Sequence, residues 1–248
     1  NTTGSYNVAL GYAALTSSTT SDYNIAIGYQ ALYANTTGDH NTAIGYAALD
    51  ANVEGDRNVA IGNHAMSTYN PSSNEDGYST AVGYAALSLD TTGRYNTAVG
   101  AWSLYNNTTA SYNVAVGMYA LTANTTGSEN TAVGTNSLQT EASGSANTAM
   151  GYRALESSNG GNYNTAVGSR CLEDTTTGDG LAAVGYNALH ANTTGQYNTA
   201  VGANALEACT TGSNNVAIGK NALLSQTTSS DSVAVGAFAG DAITTTSN

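Results

Sequence analysis

Glycine recurs in this chain with a fixed step. From Gly11 the series runs through Gly28, Gly45 and Gly62, then from Gly83 through Gly100 and Gly117 to Gly236, always 17 residues apart except for one step of 21. Set in register on that Gly, fourteen copies read Asn, Thr or Val, Ala, Val or Ile, Gly, Tyr, any, Ala, Leu, two variable residues, Asn, Thr, Thr, Gly, any, Tyr. A period of this length marks one supersecondary unit repeated, each copy burying its apolar side against its neighbours. This matters because composition alone points elsewhere. With 17 acidic against 5 basic residues, a formal charge of -12, and few large aliphatic side chains, the chain falls where disorder is common.

The columns of the aligned repeat carry the fold prediction. Two residues before the Gly stands Ala in every copy, and one before it a larger apolar residue such as Leu10, Ile27, Val82 or Met150. Three before it stands Thr or a small aliphatic, so the run has β-branched residues at a period of two, which suits a strand. Leu or Met66 sits four after the Gly in all copies but the last, where Gly240 replaces it, and is expected to form the second wall of the core. Helix is excluded by two Gly in most units and by Asn-Thr-Thr-Gly clusters such as 35–38 and 124–127. The expectation is an all-β fold, a parallel β-solenoid (β-roll) of fourteen 17-residue coils. Each coil would have two short strands and two turns, and the rod would be about 65 Å long at about 4.8 Å per coil.

Residues 1–240 are expected to form a single solenoid with a four-residue insertion within 66–77, read as a bulged turn or as a projecting binding loop. Residues 241–248 are expected to cap it or to begin a following segment. The chain opens at Asn1 inside the repeat pattern, which reads as a piece of something longer. Asn four before the Gly, as in Asn24, Asn41 and Asn164, predicts an amide ladder along the stack, and the Thr pairs predict hydroxyl ladders. Tyr recurs just after the Gly and just before that Asn, in columns expected to stack. Tyr95, Tyr112, Tyr163 and Tyr197, all in the second column, are the candidate surface-binding residues.

The strings NTAIGYAAL at 41–49 and NVAVG at 113–117 resemble the head repeats of trimeric autotransporter adhesins. The Asn-Thr-Thr-Gly spacer is similar to repeat arrays in tail-fibre-type surface proteins of bacteria and their phages. The resemblance implies a left-handed β-roll wound as a homotrimer, located outside the cell, at the cell surface or in a virion fibre. The column of invariant Ala is read as facing a neighbouring chain, with Val or Ile filling the coil; the alternative is that Ala points into the narrow end of a flat coil.

Function classes are narrowed by what the chain lacks. Five basic residues give no patch to neutralise phosphates, so nucleic acid and anionic membranes are poor partners. No apolar stretch is long enough to span a bilayer. His40, His64 and His190 fall in three different columns, so no catalytic set recurs and the chain is read as not an enzyme. Cys171 and Cys209 lie two coils apart, beyond disulfide reach, and read as isolated thiols. Asp22, Asp39, Asp56, Asp179 and Asp231 lack the pattern of calcium-binding rolls and read as solvated charge; no metal or cofactor is expected. The leading expectation is an extracellular structural fibre or adhesin segment that projects or forms a surface-binding element. The alternatives are a carbohydrate-binding solenoid using stacked Tyr columns and, behind it, an ice-binding one using Thr ladders.

Overall fold

The computed structural model describes residues 2–72 and 76–244. It divides into two compact units, Asn1–Thr126 and Gly127–Asn248. The first holds the strands β1 (Val8–Leu10), β2 (Ile25–Ile27), β3 (Thr42–Ile44), β4 (Val59–Ile61), β5 (Thr80–Val82), β6 (Thr97–Val99) and β7 (Val114–Val116). The second holds β8 (Thr131–Val133), β9 (Thr148–Met150), β10 (Thr165–Val167), β11 (Ala182–Val184), β12 (Thr199–Val201), β13 (Val216–Ile218) and β14 (Val233–Val235). Within each unit every strand pairs in parallel with the next one in the chain. The register keeps like on like, as in Ala26 with Ala43 and Ala166 with Ala183. The expected β-solenoid of 17-residue coils is therefore the fold. No described residue is helical, so no described helix could cross a membrane.

The coil has one strand, not two. After the Gly the chain follows a turn in which the second and fourth residues take positive φ, for example Gln30 at 55° and Leu32 at 51°. Left-handed non-glycine residues are costly one by one. Here each is held by stacking: the Gln30 N–H donates to Tyr12 O of the coil before (2.9 Å), and the Leu32 N–H to Ala48 O of the coil after (3.1 Å). The amides of the turn divide between the two neighbouring coils, Gly28 and Gln30 donating to the coil before and Leu32 and Ala34 to the coil after, which does the work of a second strand without extended backbone. The corner Gly admits no side chain. Gly100 has φ +132°, and a Cβ there would lie 2.6 Å from the carbonyl oxygen of Gly117 in the next coil.

The inside and outside of the strand are the reverse of the expectation. Ala26, Ala43, Ala98, Ala115 and Ala166 are fully buried within their own chain, whereas Val116 is 36 % exposed and Met150 45 %. The reason is volume. Leu32, Leu49, Leu121 and their equivalents enter the same interior, and a coil this short has room for one large side chain from its two walls. The other wall must be small, and the larger β-branched residues are turned outward.

The rest of the interior is polar and hydrogen-bonded. The Asn four before the Gly caps the backbone: the Asn41 N–H donates to Asn24 Oδ1 (2.8 Å), and Asn24 Nδ2 donates to Gly38 O (2.8 Å). The Asn seven after the Gly makes a true amide ladder, Asn52 Nδ2 donating to both Asn35 Oδ1 and Gly55 O (2.9 Å each). In that column Tyr69, fully buried, takes the Asn place in the coil carrying the insertion. The chain returns to register where Arg57 pairs with Asp76 and Asp56 bridges to Asp76. Residues 73–75 of the insertion and 245–248 of the expected cap lie outside the described residues.

Candidate functional site

The outward strand residues line one face of the sheet in each unit, mostly Thr, Val and Ile in two columns, with the two Tyr columns next to them in the repeat. The Tyr column preceding the strand holds all four candidate residues, but the structure treats them differently. Tyr95 lies between two rings, 5.6 Å from Tyr78 at 12° and 5.0 Å from Tyr112 at 7°. Tyr6, Tyr23 and His40 stack in the same way at 4.8 and 4.9 Å. Such spacing stabilises the column and covers the ring faces, leaving edges and hydroxyls to solvent. Tyr163 and Tyr197 have different neighbours in their column: Ala146 and Gly180 flank Tyr163, and Gly180 and Asn214 flank Tyr197. The column is thus a closed stack at Tyr95 and open at Tyr163 and Tyr197.

The Thr columns exist, but their hydroxyls turn to the backbone instead of to one another. Thr19 Oγ1 donates to Thr36 O (3.0 Å), Thr91 Oγ1 to Thr108 O (2.8 Å) and Thr193 Oγ1 to Thr210 O (3.0 Å). Protons committed to carbonyls are not available to order a water lattice, which weighs against the ice-binding reading. The Asp residues are also less free than solvated charge implies. Asp39 Oδ1 accepts the N–H of Asp22 and Asp56 Oδ1 that of Asp39 (2.6 Å each), so this column caps amides from coil to coil.

The second unit carries a charged network that sequence reasoning missed. Glu173 is buried and clamped by two guanidinium groups, Arg170 Nε at 2.6 Å and Arg153 Nη1 at 3.0 Å. Arg153 Nε also lies 2.6 Å from Glu156 Oε2, and His190 Nε2 lies 3.4 Å from Glu173 Oε2. Among the described residues, Glu173, Asp174 and His190 form the one group whose donor atoms could surround a cation. Both oxygens of Glu173 already hold an arginine, and a cation would have to displace one of them, so the geometry is that of an ion-pair network. The signal was present in the register: Arg153 and Arg170 share one column, and Glu156, Glu173, His190 and Glu207 another.

His190 and Glu207 also line an open depression of about 520 Å³ with Leu224 and Ser225. The other histidines are aromatic neighbours, His40 stacked on Tyr23 and His64 edge-on to Tyr46 at 5.1 Å. Cys171 and Cys209 are buried, unpaired thiols. Burial pushes the Cys171 thiol up to about 12 and raises Cys209 as well, which suppresses the thiolate in both. No known protein family, curated protein or solved structure matches this chain.

Proposed function

We propose that this chain is an extracellular structural fibre or adhesin segment whose copies associate through the outward face of the parallel sheet. The observation that carries the reading is the exposure of that face. Parallel sheets are ordinarily covered on both sides, yet here Val184, Val201 and Ile218 face outward and are exposed while Ala183, Ala200 and Ala217 behind them are buried. With strands about 4.8 Å apart and three residues long, the sheet face spans about 300 Å² per unit, one outward column large and apolar and the other half Thr, which is at the lower end of the patches that are often functional on a monomer. The partner is a second copy because the face repeats itself coil by coil and bears no charge pattern directed at another class of molecule. The count of three comes from the adhesin heads that the repeats resemble, and closed symmetry fits such self-complementary faces.

A repeating β-solenoid with a polar, hydrogen-bonded interior suits a rod that holds binding elements away from a surface, at the cell exterior or in a virion fibre. The test is light scattering on the chain and on Val82→Lys with Val99→Lys. Two cations per chain on the exposed face should reduce the trimer mass to that of the monomer without loss of β signal. A wild-type monomer at tens of micromolar, or a trimer that ignores both lysines, would overturn the reading.

A further inference from the structure

Glu156, Glu173 and Glu207 stand in one column, five after the Gly, and the first two are each held from both sides by the column two after the Gly. Glu156 Oε1 accepts from Asn136 Nδ2 of the coil before (3.3 Å), and its Oε2 lies 2.6 Å from Arg153 Nε of its own coil. Glu173 repeats the arrangement, with Oε1 3.0 Å from Arg153 Nη1 of the coil before and Oε2 2.6 Å from Arg170 Nε of its own. At Glu207 the first half is present and the second is not. Its Oε1 accepts from Asn187 Nδ2 of the coil before (3.4 Å). The residue placed to hold Oε2 is Asn204, whose Nδ2 donates to Asn221 Oδ1 of the coil after (3.4 Å). Among the described residues, no donor and no cation pairs with Glu207 Oε2.

This half-satisfied carboxylate lines a hollow. Glu207 borders the open depression of about 520 Å³, together with His190, Ala191, Ala208, Leu224 and Ser225. Three successive coils build it, tied by the Ala191 N–H to Glu207 O (3.0 Å) and the Ala208 N–H to Leu224 O (3.2 Å). It is hollow because the column six after the Gly carries Ala191 and Ala208 beside the long side chains of His190, Glu207 and Leu224. The His190 ring is engaged with its own neighbours, Glu173 at 3.4 Å and Asp174 at 3.8 Å, and pairs with no oxygen of Glu207. The volume falls within the about 300–1,000 Å³ of ligand sites. Apolar walls with one carboxylate that no cation neutralises suit a hydrocarbon stem ending in a positive charge.

We infer that the hollow beside Glu207 is a docking site for an arginine side chain of a partner protein, whose guanidinium takes the place that Arg153 and Arg170 fill at Glu156 and Glu173. The stem would lie on Ala191, Ala208 and Leu224. Guanidinium is favoured over ammonium because its planar fork matches a carboxylate, and because it is the group this column already uses. The partner is a different protein. Of the five cations of the chain, Arg57, Arg153 and Arg170 are paired with its own carboxylates and Lys220 lies over the Phe238 ring. A chain charge of -12 also draws basic partners. The hollow lies within the second unit and does not depend on copies associating, so failure here leaves the assembly reading untouched.

The experiment is saturation-transfer NMR on the full chain, with Nα-acetylarginine methylamide as the probe and its citrulline and lysine counterparts as controls. The arginine probe should show transfer at millimolar concentration. The citrulline probe, equal in shape but uncharged, should show none, and the lysine probe should bind more weakly. Glu207→Gln should weaken arginine binding about tenfold or more, as loss of a charge-assisted hydrogen bond does. Asn204→Arg supplies the missing guanidinium from the chain itself, at a φ of 56° where Arg170 already adopts 58°; it should keep the thermal midpoint and lose the probe. Neither variant should change the mass seen by light scattering. The inference fails if the wild type shows no transfer to the arginine probe, if the citrulline or lysine probe binds as tightly, or if either variant binds arginine as the wild type does. A mass that falls in Glu207→Gln would assign the hollow to a contact between copies and overturn the choice of partner.

Discussion

Replacing Asp90 with Asn should stabilise the first unit at neutral pH and remove a pH dependence that the wild type carries. Asp90 occupies the buried Asn column seven after the Gly. In other coils the carbonyl three residues further on receives two amides: Gly55 O from Asn41 Nδ2 (2.8 Å) and Asn52 Nδ2 (2.9 Å), and Ala110 O from Asn96 Nδ2 (2.8 Å) and Asn107 Nδ2 (3.0 Å). At Gly93 both donors are replaced, by Ser79, whose Oγ donates instead to Gly77 O (3.3 Å), and by Asp90 itself. Asp90 Oδ1 accepts from the Gly93 N–H and Asn107 Nδ2 (3.0 Å each), while Oδ2 is buried with no partner. Burial with one oxygen unpaired holds this carboxyl well above its ordinary range.

A carboxyl raised in the folded state stabilises the fold below its unfolded value and loses that contribution as pH rises towards the folded value. The slope is at most about 1.4 kcal/mol per pH unit. Asn would restore the amide to Gly93 O, worth about 0.5–1.5 kcal/mol, and remove an unsatisfied buried acceptor that costs about 1–3 kcal/mol. Denaturant titrations at about pH 4.5 and about pH 7.5 should therefore show the variant ahead by about 2 kcal/mol at the higher pH and by less at the lower. A variant no more stable than the wild type at the higher pH, or a gap that does not widen with pH, would refute the reasoning.

Leu121 is fully buried, and Leu121→Ala should cost about 2–5 kcal/mol in a urea titration because the short coil cannot collapse around the void; a loss below about 0.5 kcal/mol would place that column at the surface. Gly100→Ala, with its Cβ directed at the carbonyl of Gly117, should cost at least the about 1–3 kcal/mol of a strained residue and lower the thermal midpoint. Cys171 and Cys209, both with raised thiols, should resist an aromatic disulfide reagent at about pH 8 in the native state and react fully on unfolding; rapid native labelling of either would contradict their burial.

Much of the architecture was legible in the sequence. The glycine step gave the coil, because only Gly fits where Gly100 meets the carbonyl of Gly117. The Asn column four before the Gly was expected to form an amide ladder, because a carboxamide can both donate and accept; its oxygens instead accept backbone N–H groups, as Asn24 Oδ1 does from Asn41, and the side-chain ladder belongs to the column seven after the Gly, as at Asn35 and Asn52. The orientation of the strand was not legible. A small-large alternation fixes a period of two, but which face is inside depends on what stands across the coil, and that is Leu121 and its equivalents in a left-handed conformation that no propensity signals. For the same reason a second strand was expected where alternating positive φ does its work. In the candidate site, the stacking of the Tyr column was legible at Tyr95, which lies between Tyr78 and Tyr112. What distinguishes Tyr163 from Tyr95 is the identity of the residues one coil away, Ala146 and Gly180 against Tyr78 and Tyr112.

Neighbouring substitutions at Ala115 and Val116 test the account most directly. Ala115 is fully buried inside the coil and Val116 faces outward. Ala115→Gln should lower the thermal midpoint, since overpacking costs about 1–3 kcal/mol and a buried amide without partners adds to it. Val116→Gln should leave the midpoint of the folded chain nearly unchanged and weaken the assembly seen by light scattering. If Ala115→Gln instead keeps its midpoint and sheds the partner chains while Val116→Gln unfolds the coil, the strand is turned the other way and the account is wrong.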